Sequence, residues 1–121
     1  MTPEEMKQRT KRFALRVVRV MQSLPRAREA DVLGRQLLKS GTSVGANYRA
    51  ACRGRSQAEF IAKLGIVEEE ADESLYWMEL LTEADLVKPD RLPDLMTEGS
   101  EILAIVVASI NTARGGSRRS R

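Results

Sequence analysis

The chain has 121 residues, enough for one domain that buries roughly two-thirds of its unfolded surface. Aromatic residues make up 4% and charged residues 31%, which favours long helices over a β-sandwich. The net charge of +3 hides a division: residues 1–63 carry 14 Lys/Arg and 5 Asp/Glu, residues 64–113 carry 2 and 12, and four arginines follow.

A basic first half and an acidic second half point to basic helices resting on acidic ones, within a subunit or between subunits. Solvated helix faces without specific pairing account for the same counts. Histidine is absent, which removes the commonest general base, the commonest metal ligand and the usual pH switch. The single cysteine, Cys52, cannot close an internal disulfide, so a reducing, cytoplasmic setting is expected. No apolar run approaches the roughly 20 residues of a membrane span, and the first residues have no apolar core resembling a signal peptide.

The first predicted helix covers residues 3–23. Thr2 is placed to cap it, Pro3 suits the first helical position and Glu5 completes a capping box. Met6, Phe13, Val17, Val20 and Leu24 recur at helical spacing. The other face is basic, with Lys7, Lys11, Arg12, Arg16 and Arg19. Leu24-Pro25 ends the helix, because a residue before proline is pushed out of the helical region.

The second predicted helix covers residues 26–53, with Leu33, Leu37, Ser40, Val44, Asn47 and Ala51 on one stripe. Its centre, Ser40-Gly41-Thr42-Ser43-Val44-Gly45-Ala46, reads as a loop in isolation, since each glycine costs about 1 kcal/mol in a helix interior. The stripe nevertheless stays in phase through it. The expectation is one long helix stripped of side chains at its middle, where a neighbouring backbone comes close. Gly54 is the expected C-cap glycine, and Ser56 to Glu59 forms a capping box for the next helix.

The third predicted helix covers residues 57–84. Phe60, Leu64, Val67, Ala71, Leu75, Met78 and Leu81 form its seam, while Ile61, Ile66, Tyr76, Trp77 and Leu80 lie outside it. An apolar surface this wide needs two burial directions: the bundle core and, most simply, another subunit. Ile66, Tyr76, Trp77 and Leu80 are therefore the candidate subunit interface. The fourth predicted helix covers residues 91–113, capped by Asp90 and lined by Leu92, Leu95, Ile102, Val106 and Ile110. Residues 114–121 have no apolar content and are expected to be a disordered Arg-rich tail. Residues 1–113 thus form an all-α, up-down-up-down left-handed four-helix bundle.

Residues 39–81 also carry a family resemblance. The core Gly41-Thr42-Ser43-Val44-Gly45-Ala46-Asn47, the turn Arg53 to Ser56 and the helix start Glu59-Phe60-Ile61 resemble the small bacterial 23S rRNA-intervening-sequence proteins. Ser43, Val44, Asn47, Ser56 and Phe60 match that family's motif, and weaker similarity extends over most of residues 5–112. Where family members often have a glutamate shortly after the asparagine, this chain has Arg49, Ala50 and Ala51. The resemblance implies the same bundle, assembled as a cyclic homopentamer, with a poorly defined role. A bundle related in fold, the accessory variability protein of diversity-generating retroelements, implies nucleic acid and a reverse transcriptase as partners, by analogy of fold alone.

The acidic run Glu68, Glu69, Glu70, Asp72 and Glu73 does not make a metal site, because a di-metal carboxylate bundle pairs glutamates with histidines. Cys52 has no histidine to activate it and reads as a small buried packing residue. Ser40, Thr42 and Ser43 read as small helix-packing residues. No catalytic residue, cofactor or metal is expected, and the chain reads as non-enzymatic. Asn47, if buried, must find a partner, and a bond across to a neighbouring helix is one way. Two functional readings follow. The first is a homo-oligomeric assembly or scaffold module. The second is a nucleic-acid-binding accessory protein that contacts RNA or DNA through Lys11, Arg12, Arg16, Arg19, Arg49, Arg53, Arg55, Arg118 and Arg119.

Overall fold

The computed structural model describes the backbone of residues 1–119 and side chains up to Gly115. It contains four helices: α1 (Pro3–Ser23), α2 (Arg28–Cys52), α3 (Gln57–Glu83) and α4 (Pro93–Arg119). Each packs along its successor, and α1 meets α4 only narrowly. The diagonal pairs, α1 with α3 and α2 with α4, bring no Cα atoms within 8 Å of each other among the described residues.

Local sequence accounts for most of the ends. Thr2 accepts a hydrogen bond from the Glu5 amide at 3.1 Å, and Ser56 accepts one from the Glu59 amide at 3.1 Å. Leu24, ahead of Pro25, is extended at ψ 147° and stops α1. The core draws on every helix, with Phe13 and Val17 of α1, Leu37 and Val44 of α2, Leu64 and Met78 of α3, and Ile102 and Val106 of α4 all buried. Burial of each such side chain is worth about 1.5–3 kcal/mol.

Helix α2 is continuous through its glycine-rich centre, as its phase predicts. A β-carbon added at Gly41 would lie 2.8 Å from Val17 Cγ2, and one at Gly45 would lie 3.1 Å from Thr10 Oγ1. A side chain at Gly41 would force Val17 to shift, and one at Gly45 would need Thr10 to give by a few tenths of an ångström, so small residues at both serve the approach of α1. The helix-propensity cost of about 1 kcal/mol per glycine is offset by the contact it permits.

Four details depart from expectation. Gly54 is not a left-handed cap, because no glycine in the described residues has positive φ. A β-carbon at Gly54 would sit 3.0 Å from the Ala51 carbonyl and 3.2 Å from the Phe60 amide, so a tight turn dictates glycine. The left-handed residue is Asp85, at φ 60° after α3. Its amide donates to the Thr82 carbonyl and the Leu86 amide donates to the Leu81 carbonyl, which makes a Schellman ending without glycine. Asp90 does not cap α4. Pro93 opens that helix and the Met96 amide donates to the Leu92 carbonyl, so Asp90 falls in the preceding turn. Finally, α4 runs on to Arg119 instead of ending near Ala113. A helix anchored on the core extends by one hydrogen bond per added residue, at no nucleation cost. Residues 120 and 121 of the expected tail lie outside the described residues.

Candidate functional site

The outer face of α3 keeps its apolar residues in view. Ile66 is 36% and Tyr76 52% exposed, Trp77 and Leu80 are half-buried, and Glu69 and Glu73 stand exposed between them. Ile66, Glu69, Glu73 and Tyr76 follow the i, i+3, i+7, i+10 spacing of one stripe. The rings of Tyr76 and Trp77 meet edge-to-face with centroids 5.0 Å apart. Trp77 Nε1 is sealed from solvent with no acceptor among the described residues. Burial and the charge of Glu73 push the Glu70 carboxyl above its usual value, against the opposing pull of Lys39.

The basic residues do not form one patch. Lys11 and Arg49 come together with Lys7 along a groove of about 240 Å³ between α1 and α2, floored by Thr42, Gly45 and Ala46. The same close approach that small residues serve leaves this groove open. The charges of Arg12 and Arg16 help Arg9 hold the Glu98 carboxyl below its usual value. Arg19 and Arg53 are exposed, and Arg55 lies at the bundle end beside Pro3, Lys7, Cys52 and Phe60. The side chains of Arg118 and Arg119 lie outside the described residues.

Arg9 carries no signal in the sequence, yet it makes the main ion pair. Its Nε and Nη2 donate to the two carboxylate oxygens of Glu98, each at 2.7 Å, and Nη2 also donates to Glu101 at 2.6 Å. This fork holds the Glu98 carboxyl below the usual carboxylate range and raises the Arg9 guanidinium, both chiefly through the hydrogen bond they share. It is the salt bridge that joins the basic first half of the chain to the acidic second half among the described residues.

Among the motif residues, Val44 is buried in the core, Ser43 donates to the Lys39 carbonyl, Ser56 caps α3, and Phe60 is half-buried at the bundle end. Asn47 does not reach a neighbouring helix. Its Nδ2 donates to the Ser43 carbonyl one turn back, at 2.9 Å, because its half-buried position offers a partner on its own helix. The polar link between α2 and α3 is instead Ser40 with Ser74, whose hydroxyl oxygens lie 3.0 Å apart in the core. Small residues that look like mere spacers thus carry the cross-helix hydrogen bond.

Cys52 is half-buried, not fully buried, and neighbours Tyr48 one turn earlier. Burial, then the adjacent thiol, pushes the Tyr48 hydroxyl up to about 12. No group of three or more His, Cys, Asp or Glu among the described residues is arranged to hold a metal ion, and no helix among them is long and apolar enough to cross a membrane.

Comparison with known proteins places this arrangement. No curated protein matches the chain. A crystal structure from Bacteroides thetaiotaomicron VPI-5482, of a protein of unknown function from the S23 ribosomal protein family, superposes with a TM-score of 0.85. It is 33% identical and covers 92% of this chain and 99% of its own. Residues 4–108 match the family described as 23S rRNA-intervening sequence protein, a span that takes in the glycine-rich α2, the Gly54 turn and the α3 stripe. The chain belongs to the 23S rRNA-intervening sequence protein family.

Proposed function

We propose that this chain is a non-enzymatic, self-associating four-helix bundle that works in the cytoplasm as an assembly module. In this reading the helices run up-down-up-down, as the pairing of Gly41 with Val17 and of Gly45 with Thr10 supports, and the bundles close into a cyclic homo-oligomer, a pentamer by family resemblance. The observation that carries it is the α3 stripe, where Ile66 and Tyr76 stay uncovered by the chain's own helices and Trp77 is only half-buried beside Tyr76. Large apolar side chains left exposed along one helix face mark an interaction site. Light scattering coupled to size exclusion tests it. The expected mass is a multiple of 13.5 kDa at micromolar concentration, and a clean monomer overturns the reading.

The groove between α1 and α2 favours a second reading, contact with a nucleic-acid backbone. Lys7, Lys11 and Arg49 bring three cations to one concave strip, the geometry a phosphate chain needs. No aromatic residue lines the groove, so binding would be insensitive to base identity. Titration of a single strand across salt tests it. Three phosphate contacts give a log–log slope of about −2, and Lys7→Glu with Arg49→Glu abolishes binding. Absence of binding by the unmodified chain at low salt ends this reading.

A further inference from the structure

The two faces left without partners are of opposite charge. On α1, Lys11, Leu15 and Arg19 fall at i, i+4 and i+8 on one exposed stripe, with Leu15 48% exposed. On α3, exposed Glu69 and Glu73 stand between Ile66 and Tyr76. Among the described residues neither Lys11 nor Arg19 is in a salt bridge, and neither is Glu69 or Glu73. They do not pair with each other within the chain, because α1 and α3 lie diagonally across the bundle with no Cα atoms within 8 Å of each other among the described residues. On α1 an apolar residue lies between two cations, and on α3 two carboxylates lie between two apolar residues.

We infer that the Lys11–Leu15–Arg19 face of α1 in one copy docks on the Ile66–Glu69–Glu73–Tyr76 face of α3 in the next. The inference rests on the self-association proposed above and names the surfaces that make it. A symmetric contact is disfavoured on either face, since it would set cation against cation or carboxylate against carboxylate. The contact is therefore head-to-tail. Because α1 and α3 occupy opposite sides of the bundle, every docked copy still offers one free face of each kind. Such a contact propagates from copy to copy and makes a ring where the rotation between copies closes. Lys11 and Arg19 would lean inward to Glu69 and Glu73, with Leu15 seated between them.

Charge reversal tests the assignment. Lys11→Glu/Arg19→Glu alters α1, Glu69→Lys/Glu73→Lys alters α3, and a fourth chain carries all four changes. All four residues are exposed, and circular dichroism checks that each variant keeps its helices. Light scattering should show an assembled wild type, dissociation of each single-face variant, and reassembly of the four-fold swap, whose faces are complementary again whatever the ring size. On the unmodified chain, assembly should weaken as salt rises, because the Debye length shrinks from about 10 Å at 0.1 M to about 3 Å at 1 M. The emission of Trp77, the sole tryptophan, should shift on assembly, since it lies beside Tyr76. A monomeric wild type overturns self-association and this inference with it. An assembled wild type whose mass survives both reversals, or a folded four-fold swap that stays monomeric, overturns the face assignment alone.

Discussion

Helix α1 is held on its two sides by different physics. Against α2 the contact is steric and apolar: Val17 and Thr10 rest where Gly41 and Gly45 have no side chain. Against α4 the contact is narrow, and Arg9 spans it with three charge-assisted hydrogen bonds to Glu98 and Glu101. The first seam is indifferent to pH and intolerant of added volume. The second tolerates volume but depends on a charge. A bundle built this way has one seam that fixes its geometry and another that solution conditions can weaken.

The largest effect should come from filling the first seam. Val17 is β-branched, fully buried and stiff at χ1, so it cannot swing aside for a side chain at Gly41. Gly41→Leu should cost about 3 kcal/mol, the upper end of overpacking effects, and lower the midpoint of thermal unfolding by about 12 °C. Thermal unfolding followed by circular dichroism reads this directly. A midpoint within about 2 °C of wild type would mean that α1 moves away from α2 freely, and the contrast between the seams would fail.

The second seam should respond to acid. The folded-state pKa of Glu98 is lowered, so its contribution is fully present above the unfolded value of about 4.3 and is lost as pH falls through the lower folded value. Glu98→Gln keeps the shape and removes the charge. It should cost about 1.5 kcal/mol at pH 7, since Glu98 is only one-fifth exposed and accepts two bonds from one guanidinium. The gap between variant and wild type should close as the pH is lowered past the folded value. Urea unfolding followed from pH 7 down into the acid range checks both, and a gap that does not narrow as the pH falls would show that Glu98 acts by packing.

The sequence makes the first seam legible and the second invisible. Apolar residues keep helical phase through Gly41 and Gly45, so a continuous α2 and its close neighbour follow from periodicity. Ser56 and Thr2 announce two helix starts through short-range chemistry. Arg9 looks like every other cation on α1. Only the rotation of α1 relative to α4 selects it over Arg12 and Arg16, and that rotation is a tertiary fact. Asn47 and Ser74 exchange roles for a related reason. A polar side chain satisfied by its own previous turn is indistinguishable, in sequence, from one that bonds across. The Schellman turn at Asp85 lacks the glycine that usually marks it. The exposed α3 stripe was legible as excess apolar width, but what covers it depends on contacts beyond the chain.

The smallest effect isolates what is special about the α1–α2 seam. Gly65, in α3, is also a helix-interior glycine, yet a β-carbon there would meet nothing within 4 Å. Gly65→Ala therefore removes the backbone-entropy cost of glycine without a clash. It should stabilise by about 0.5–1 kcal/mol and raise the unfolding midpoint by about 2–4 °C. Gly41→Ala gains the same propensity but places its methyl 2.8 Å from one Val17 methyl and 3.0 Å from the other. The two alanine variants should thus move in opposite directions. If Gly41→Ala also stabilised, helix propensity would outweigh contact at the seam, and the glycine would be there for a reason other than the approach of α1.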